Sequence, residues 1–136
     1  MREYLFRGKR IENGEWVTGY LCYNGALDPA LAIQTIRTKH DEIMWSKYTV
    51  IPETVGQFTD LTDKNGVRIF EGDIVEVEFY PNKIVKMQIV FVMGVFALWT
   101  DAGHWQRMGT PNIMYIEIIG NIHDNPELLE EENASD

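Results

Sequence analysis

The chain has 136 residues, 45% of them apolar and 24% charged, which suits one globular domain or two half-sized modules and excludes a disordered chain. A single cysteine, Cys22, excludes an intramolecular disulfide framework and a Cys-cluster zinc site. The net charge of −9 is mostly a property of the tail: from Asp124 to Asp136 there are six acids and no base, which leaves 15 acids against 12 bases up to His123. A body so near neutrality lacks the cation density that drives phosphate-backbone binding, so nucleic acid is disfavoured. No apolar run approaches the ~20 residues needed to cross a bilayer, and the opening MREYLFRGKR lacks the apolar stretch of a signal peptide. A cytoplasmic protein with no membrane role is expected.

In chain order, residues 3–7, 15–21, 31–36 and 47–51 read as short strands bounded by Gly, Pro, Asn or Asp. Asn13-Gly14 between the first two is a hairpin signal. A boundary falls near 57–62, before the densest turn cluster, Asp60 to Gly66. Beyond it the period is two: Val75, Val77 and Phe79 share one face while Glu76 and Glu78 take the other. Residues 83–92 repeat this with Val85, Met87, Ile89 and Phe91 inward, and Tyr80-Pro81-Asn82-Lys83 joins the two runs as a hairpin. Gly94 turns the chain into 95–99. Ile116, Ile118 and Ile122 mark a later strand with a bulge or close backbone contact at Gly120. Only 126–132 (PELLEEE) reads as a helix, with Pro126 at an N1-like position and Glu127 in its first turn.

The expected fold is mainly β: an N-terminal β-rich subdomain (1–58), a small SH3-like, partly open five-stranded barrel (59–123), and a short acidic C-terminal helix or tail (124–136). The barrel strands are expected at 67–70, 73–80, 84–92, 95–99 and 115–122. Residues 100–114 are left over as a surface loop. Leu128 and Leu129 would dock the tail on the body or on a neighbouring chain.

Two turns stand out. In Asp63-Lys64-Asn65-Gly66, Asp and Asn bond nearby backbone and Gly supplies a positive φ. A calcium loop in this register would place Leu61 and Gly72 where acids are required, so a structural turn is expected. Gly72 and Asp73 form a second turn, into the strongest strand. Paired acids (Asp60/Asp63, Glu71/Asp73, Glu76/Glu78) sit on turns or outward strand faces, without the apolar pocket that general acid catalysis needs. His40, His104 and His123 lie too far apart for a metal spacing, although a site assembled by the fold stays open. Ser46 and Ser135 are not in a nucleophile elbow, Cys22 in YLCY reads as a packed thiol, and neither phosphate-cradling glycine motif occurs. No catalytic residue, metal or cofactor is expected. The candidate binding element is the loop carrying Trp99, His104, Trp105 and Arg107, since Trp and Arg are preferred interface anchors. Its structural alternative has Trp99 closing the core and Trp105 folding over it.

Residues 54–75, TVGQFTDLTDKNGVRIFEGDIV, resemble the YopX family of phage and prophage proteins, whose members carry a run of the form VGQ[YF]TGLxDKNGxxI[YF]EGDIV. The flanks agree: Phe6-Arg7-Gly8 and Trp16-Val17-Thr18-Gly19 near the start, and Ile119-Gly120-Asn121-Ile122-His123-Asp124-Asn125-Pro126-Glu127-Leu128 near the end. One departure is Asp60, where the family usually has Gly. The resemblance implies an SH3-type C-terminal part and a phage or prophage origin. No established activity comes with it, so no catalytic residue carries across. The expected function is a non-enzymatic module that contacts another protein or itself as a homo-oligomer. The alternatives are single-stranded nucleic-acid binding through Trp99 and Trp105 with Lys83, Lys86 and Arg107, and an unrecognised metal-dependent hydrolase.

Overall fold

The structure is a computed structural model that describes residues 4–25, 27–40, 42–100, 102–103 and 105–134, with the side chains of 28, 37–39 and 131–134 left outside the description. The chain is mainly β, in two antiparallel sheets with one short α-helix, and divides into two compact units, Met1–Phe58 and Thr59–Asp136.

The first unit holds β1 (Phe6–Lys9), β2 (Trp16–Gly25), β3 (Asp28–Lys39) and β4 (Glu42–Thr49), a 3₁₀ turn at Pro52–Thr54, and the start of β5 (Gly56–Thr62). Asn13-Gly14 closes the β1–β2 hairpin: Gly14 has φ +72°, and Asn13 Oδ1 accepts the Glu15 N–H at 3.0 Å. The sheet order is β4-β3-β2-β1-β5, and Leu5, Ala32, Ile33, Val50 and Phe58 are buried. Strand β2 serves two partners, with Trp16 to Gly19 paired to β1 and Tyr20 onward to β3. Gly19 stands at the changeover, where a Cβ would run into the Gln34 carbonyl oxygen.

In the second unit β5 runs on beside β6 (Arg68–Phe70), and the turn Asp63 to Val67 joins them. Next come β7 (Asp73–Phe79), β8 (Lys83–Val92), β9 (Val95–Trp99), β10 (Trp105–Arg107), β11 (Ile113–Asn121) and α1 (Glu127–Ala134). The five-stranded sheet has the order β10-β9-β8-β7-β11 and does not close into a barrel. Its core contains Ile69, Val75, Val77, Phe79, Met87, Ile89, Leu98 and Met108, with Ile116 and Ile118 packed against them. The β8–β9 turn is the two-residue pair Met93-Gly94, both at positive φ (52° and 82°), which matches the twist of the flanking strands. At Gly120 the register with β7 shifts, and a Cβ there would lie 2.6 Å from Asn125 Oδ1.

Four features differ from the sequence reading. Residues 57–62, read as a boundary, lie in strand β5. Residues 67–70, expected as the first barrel strand, lie in the other sheet as β6, beside β5. The fifth strand is instead β10, from the stretch read as a loop. Phe91, expected inward, is exposed: near the end of β8 its ring meets Phe96 edge-on at 5.0 Å.

Gly19→Ala is expected to lower unfolding free energy by about 2 kcal/mol, because the collision is with backbone rather than a movable side chain. Urea denaturation checks this. Gly14→Ala has open space around it but a left-handed backbone, and should cost about 1 kcal/mol.

Candidate functional site

The turn between β5 and β6 is built around a buried carboxylate. Asp63 is 7% exposed. Its Oδ1 accepts the Asn65 N–H (2.9 Å) and the Val67 N–H (3.0 Å), while its main chain closes the hairpin through Asp63 N–H to Val67 O (2.8 Å) and Gly66 N–H to Asp63 O (3.0 Å). Gly66 takes φ +82°. The other oxygen, Oδ2, accepts the N–H of Ile118 on β11 at 3.1 Å, and the adjacent Lys64 N–H donates to Ile116 O at 2.9 Å. Ile116 and Ile118 alternate with Glu117, so these groups lie on the side of β11 turned away from β7. The turn thus satisfies a sheet edge that would otherwise be open. Lys64 Nζ completes the clamp with Glu117 Oε2 at 2.8 Å and lies 5.8 Å from the Tyr115 ring centre.

Burial by itself pushes the Asp63 carboxyl upward, but the three N–H donors and the Lys64 charge outweigh it and hold it below its usual 3.8. Lys64 is held above its usual value of 10.5, chiefly by its bond to Glu117 and that group's charge, with Glu76 and Glu78 adding to it. A carboxyl so depressed is an ion at neutral pH, fitted to accept hydrogen bonds rather than to deliver a proton.

The second turn follows the same logic. Gly72 sits at φ +95°, its N–H donating to Ile89 O (2.9 Å) and its carbonyl accepting from Ile122 N–H (2.9 Å). Buried Asp73 accepts the Phe70 N–H at 2.7 Å. Sequence reasoning missed a third polar knot at the end of β11. There Asn121 Oδ1 accepts the N–H groups of His123 (3.0 Å) and Asp124 (2.9 Å), and Asn125 Oδ1 accepts the Asn121 N–H (3.2 Å) just before α1. Two asparagines four apart, directly after Gly120, were its available signal.

The Trp-rich stretch forms the opposite edge of the sheet. Trp105 pairs in register with Trp99, and Arg107 with Ala97, so these side chains share the face opposite the buried Leu98. Trp99 is half-buried, Trp105 is 46% exposed and Arg107 is exposed. Thr110 closes the strand's far end, its Oγ1 donating to Arg107 O at 2.7 Å, and Met108 anchors it in the core. His104 lies outside the described residues. Sequence reasoning treated this as loop because a three-residue strand leaves no alternation to read.

The remaining candidates do not converge. Among the described residues no group of three or more His, Cys, Asp or Glu is placed to hold a metal ion. Cys22 on β2 points its Sγ toward Ala32 O at 3.6 Å.

A family model described as "YopX protein" matches residues 5–130. The chain belongs to the YopX family. Two solved structures share its fold, each covering 95% of this chain and 99% of its own: protein EF1440 from Enterococcus faecalis (TM-score 0.58, 23% identity) and protein yopX from Bacillus subtilis (TM-score 0.57, 16% identity). No curated protein matches. The departure at Asp60 falls on a residue with φ +73°, where glycine is the residue free of steric cost. No helix among the described residues is long and apolar enough to cross a membrane.

Asp63→Asn is expected to destabilise the fold by about 2 kcal/mol at pH 7, since its amide cannot accept from all three N–H groups. The wild-type carboxylate contributes fully above the unfolded value near 3.8, and the contribution is lost as pH falls through the lower folded value. Chemical denaturation of both proteins from pH 7 down to about pH 2 should therefore show the gap closing in the acid limb.

Proposed function

We propose that this chain is a non-enzymatic binding module of phage or prophage origin, working in the bacterial cytoplasm, which contacts another protein or itself through the β9–β10 edge. The observation that carries the reading is Trp105, exposed on an edge strand, with Trp99 in register behind it and Arg107 on the same face. A large aromatic held on a strand is a pre-ordered anchor, and Trp and Arg dominate binding energy in protein interfaces. The sheet behind it supplies rigidity, and Met108 fixes the strand's end in the core.

Single-stranded nucleic acid is the second reading, favoured by the pairing of two Trp across β9 and β10, which would serve as a stacking platform. Charge opposes it. Residues 59–136 hold five bases against fourteen acids, so the unit that carries both Trp accounts for the whole net charge of −9.

Trp105→Ala is expected to weaken capture of the partner at least about tenfold while far-UV circular dichroism stays unchanged. Quantitative pull-down from lysogenic cells, wild type against variant, checks it, and equal capture would contradict this edge as the contact. Fluorescence anisotropy with labelled oligonucleotides at low salt separates the two readings: steep, salt-sensitive binding would favour nucleic acid.

A further inference from the structure

The outward side of the five-stranded sheet is not bare. Ile74 and Ala97 are fully buried, yet neither belongs to the core that Val75, Met87, Ile89 and Leu98 form on the inward side. Strand alternation turns both outward, so they are covered from that side. Gly120 pairs with Ile74 and shares its side, and the Asn125 side chain fills the space where a Cβ would stand. The chain therefore leaves β11 over the outward side, and α1 comes to rest on β8. Within α1, Leu128 and Leu129 are half-buried while Glu127 and Glu130 are exposed.

Helix α1 is weakly held by its own sequence. Its eight residues are fewer than the ~12 that an isolated helix needs in water. Its second half carries Glu131 and Glu132 and no base, at the end where the helix dipole disfavours anions. The helix therefore depends on packing its two leucines against the sheet, and a segment that packs better can take its place.

The surface around α1 selects the chemistry of such a segment. The outward positions of β8, β9 and β10 hold two cations, Lys86 and Arg107, two tryptophans, Trp99 and Trp105, and no acid. The acids of this side, Glu76, Glu78 and Glu117, stand on β7 and β11. Trp99 is in register with Gln88 of β8, the strand on which α1 rests. Residues 124–136, which include α1, carry six acids and no base. Acids on the helix and cations on the sheet are complementary in sign, and the two leucines match the apolar side chains between those cations.

We propose that the outward β8–β10 surface receives short acidic helices bearing adjacent leucines, and that α1 is its resident occupant, displaced by an incoming helix of the same kind. The inference rests on the reading of the chain as a binding module and names the partner class for the sheet side that carries Trp99 and Trp105. Because α1 is tethered, it competes at an effective concentration of about 1 mM, so a partner must outbind it to reach the sheet.

Fluorescence anisotropy with a fluorescein-labelled peptide of residues 122–136 tests it on the full chain. Leu128→Glu/Leu129→Glu releases α1, and this variant should bind the peptide with a dissociation constant of about 10–100 μM. Wild type should bind at least about tenfold more weakly, because its own helix holds the surface. Adding Lys86→Glu/Arg107→Glu to the released chain should weaken binding about tenfold. A peptide carrying Glu127→Lys, Glu130→Lys, Glu131→Lys and Glu132→Lys should not bind. Leu128→Ala/Leu129→Ala, read in the same way, covers the case in which the glutamates disturb folding. No binding by either released chain, equal binding by wild type, or equal binding of the lysine peptide would overturn the proposal. Partner capture lost in Trp105→Ala, beside a peptide that does not bind, would overturn this inference and leave the β9–β10 edge standing. Peptide binding as expected, with capture unchanged in Trp105→Ala, would uphold the α1 surface and remove the edge.

Discussion

A single carboxylate ties the second unit together. Asp63 accepts three backbone N–H groups, two from its own turn and one from a strand 55 residues further on. Each bond to a charged acceptor contributes about 1.5–3 kcal/mol, and removing the carboxylate would strand three donors in a poorly solvated place. Burial alone would make such a charge costly. The donors and the Lys64 charge reverse that balance and hold the carboxyl below its ordinary value. The turn formed by Asp63, Asn65 and Gly66 is therefore more than a reversal of chain direction. It positions Lys64 over Glu117 and Tyr115 and supplies the missing partner strand to part of β11.

Each sheet ends differently. At β11 the turn at Asp63 blunts the edge. At β10 the strand is three residues long and its exposed anchor is Trp105, a geometry too short to template an extended strand but sufficient to present a side chain. At β4 the edge is longer and exposed from Glu42 to Lys47, with Lys47 the charge among its outward residues. Two open sheets leave four edge strands, β4 and β6 in one and β10 and β11 in the other.

Much of this was legible in the sequence, for reasons that can be assigned residue by residue. Period-two alternation placed Val75, Val77, Met87 and Ile89 in the core, because those positions are buried while Glu76, Glu78, Lys86 and Gln88 between them are only half-buried. Asn13-Gly14, Gly66, Gly72 and Gly94 marked real turns, because left-handed backbone is expensive for other residues. Strand β5 was not legible: Gly56–Thr62 reads as a boundary, since Gly, Thr and Asp are as common in connections as in edge strands. Strand β10 was hidden by its length. The sheet assignment of β6 was lost because pairing partners depend on tertiary context that a local pattern does not carry. Asp63 was readable as a turn residue, but its bond to Ile118 was not, since nothing within four residues of either position announces the other. The family's usual glycine at position 60 becomes intelligible only with the backbone in view, where Asp60 adopts positive φ.

The most direct test of the Asp63 clamp is a carbon-13 NMR titration of its side-chain carboxyl, followed together with the amide signals of Asn65, Val67 and Ile118. If the carboxylate ties turn to strand, its midpoint lies below 3.8 and all three amides move with that same midpoint, Ile118 included. A midpoint at or above 3.8, or an Ile118 amide that ignores the transition, would contradict the account.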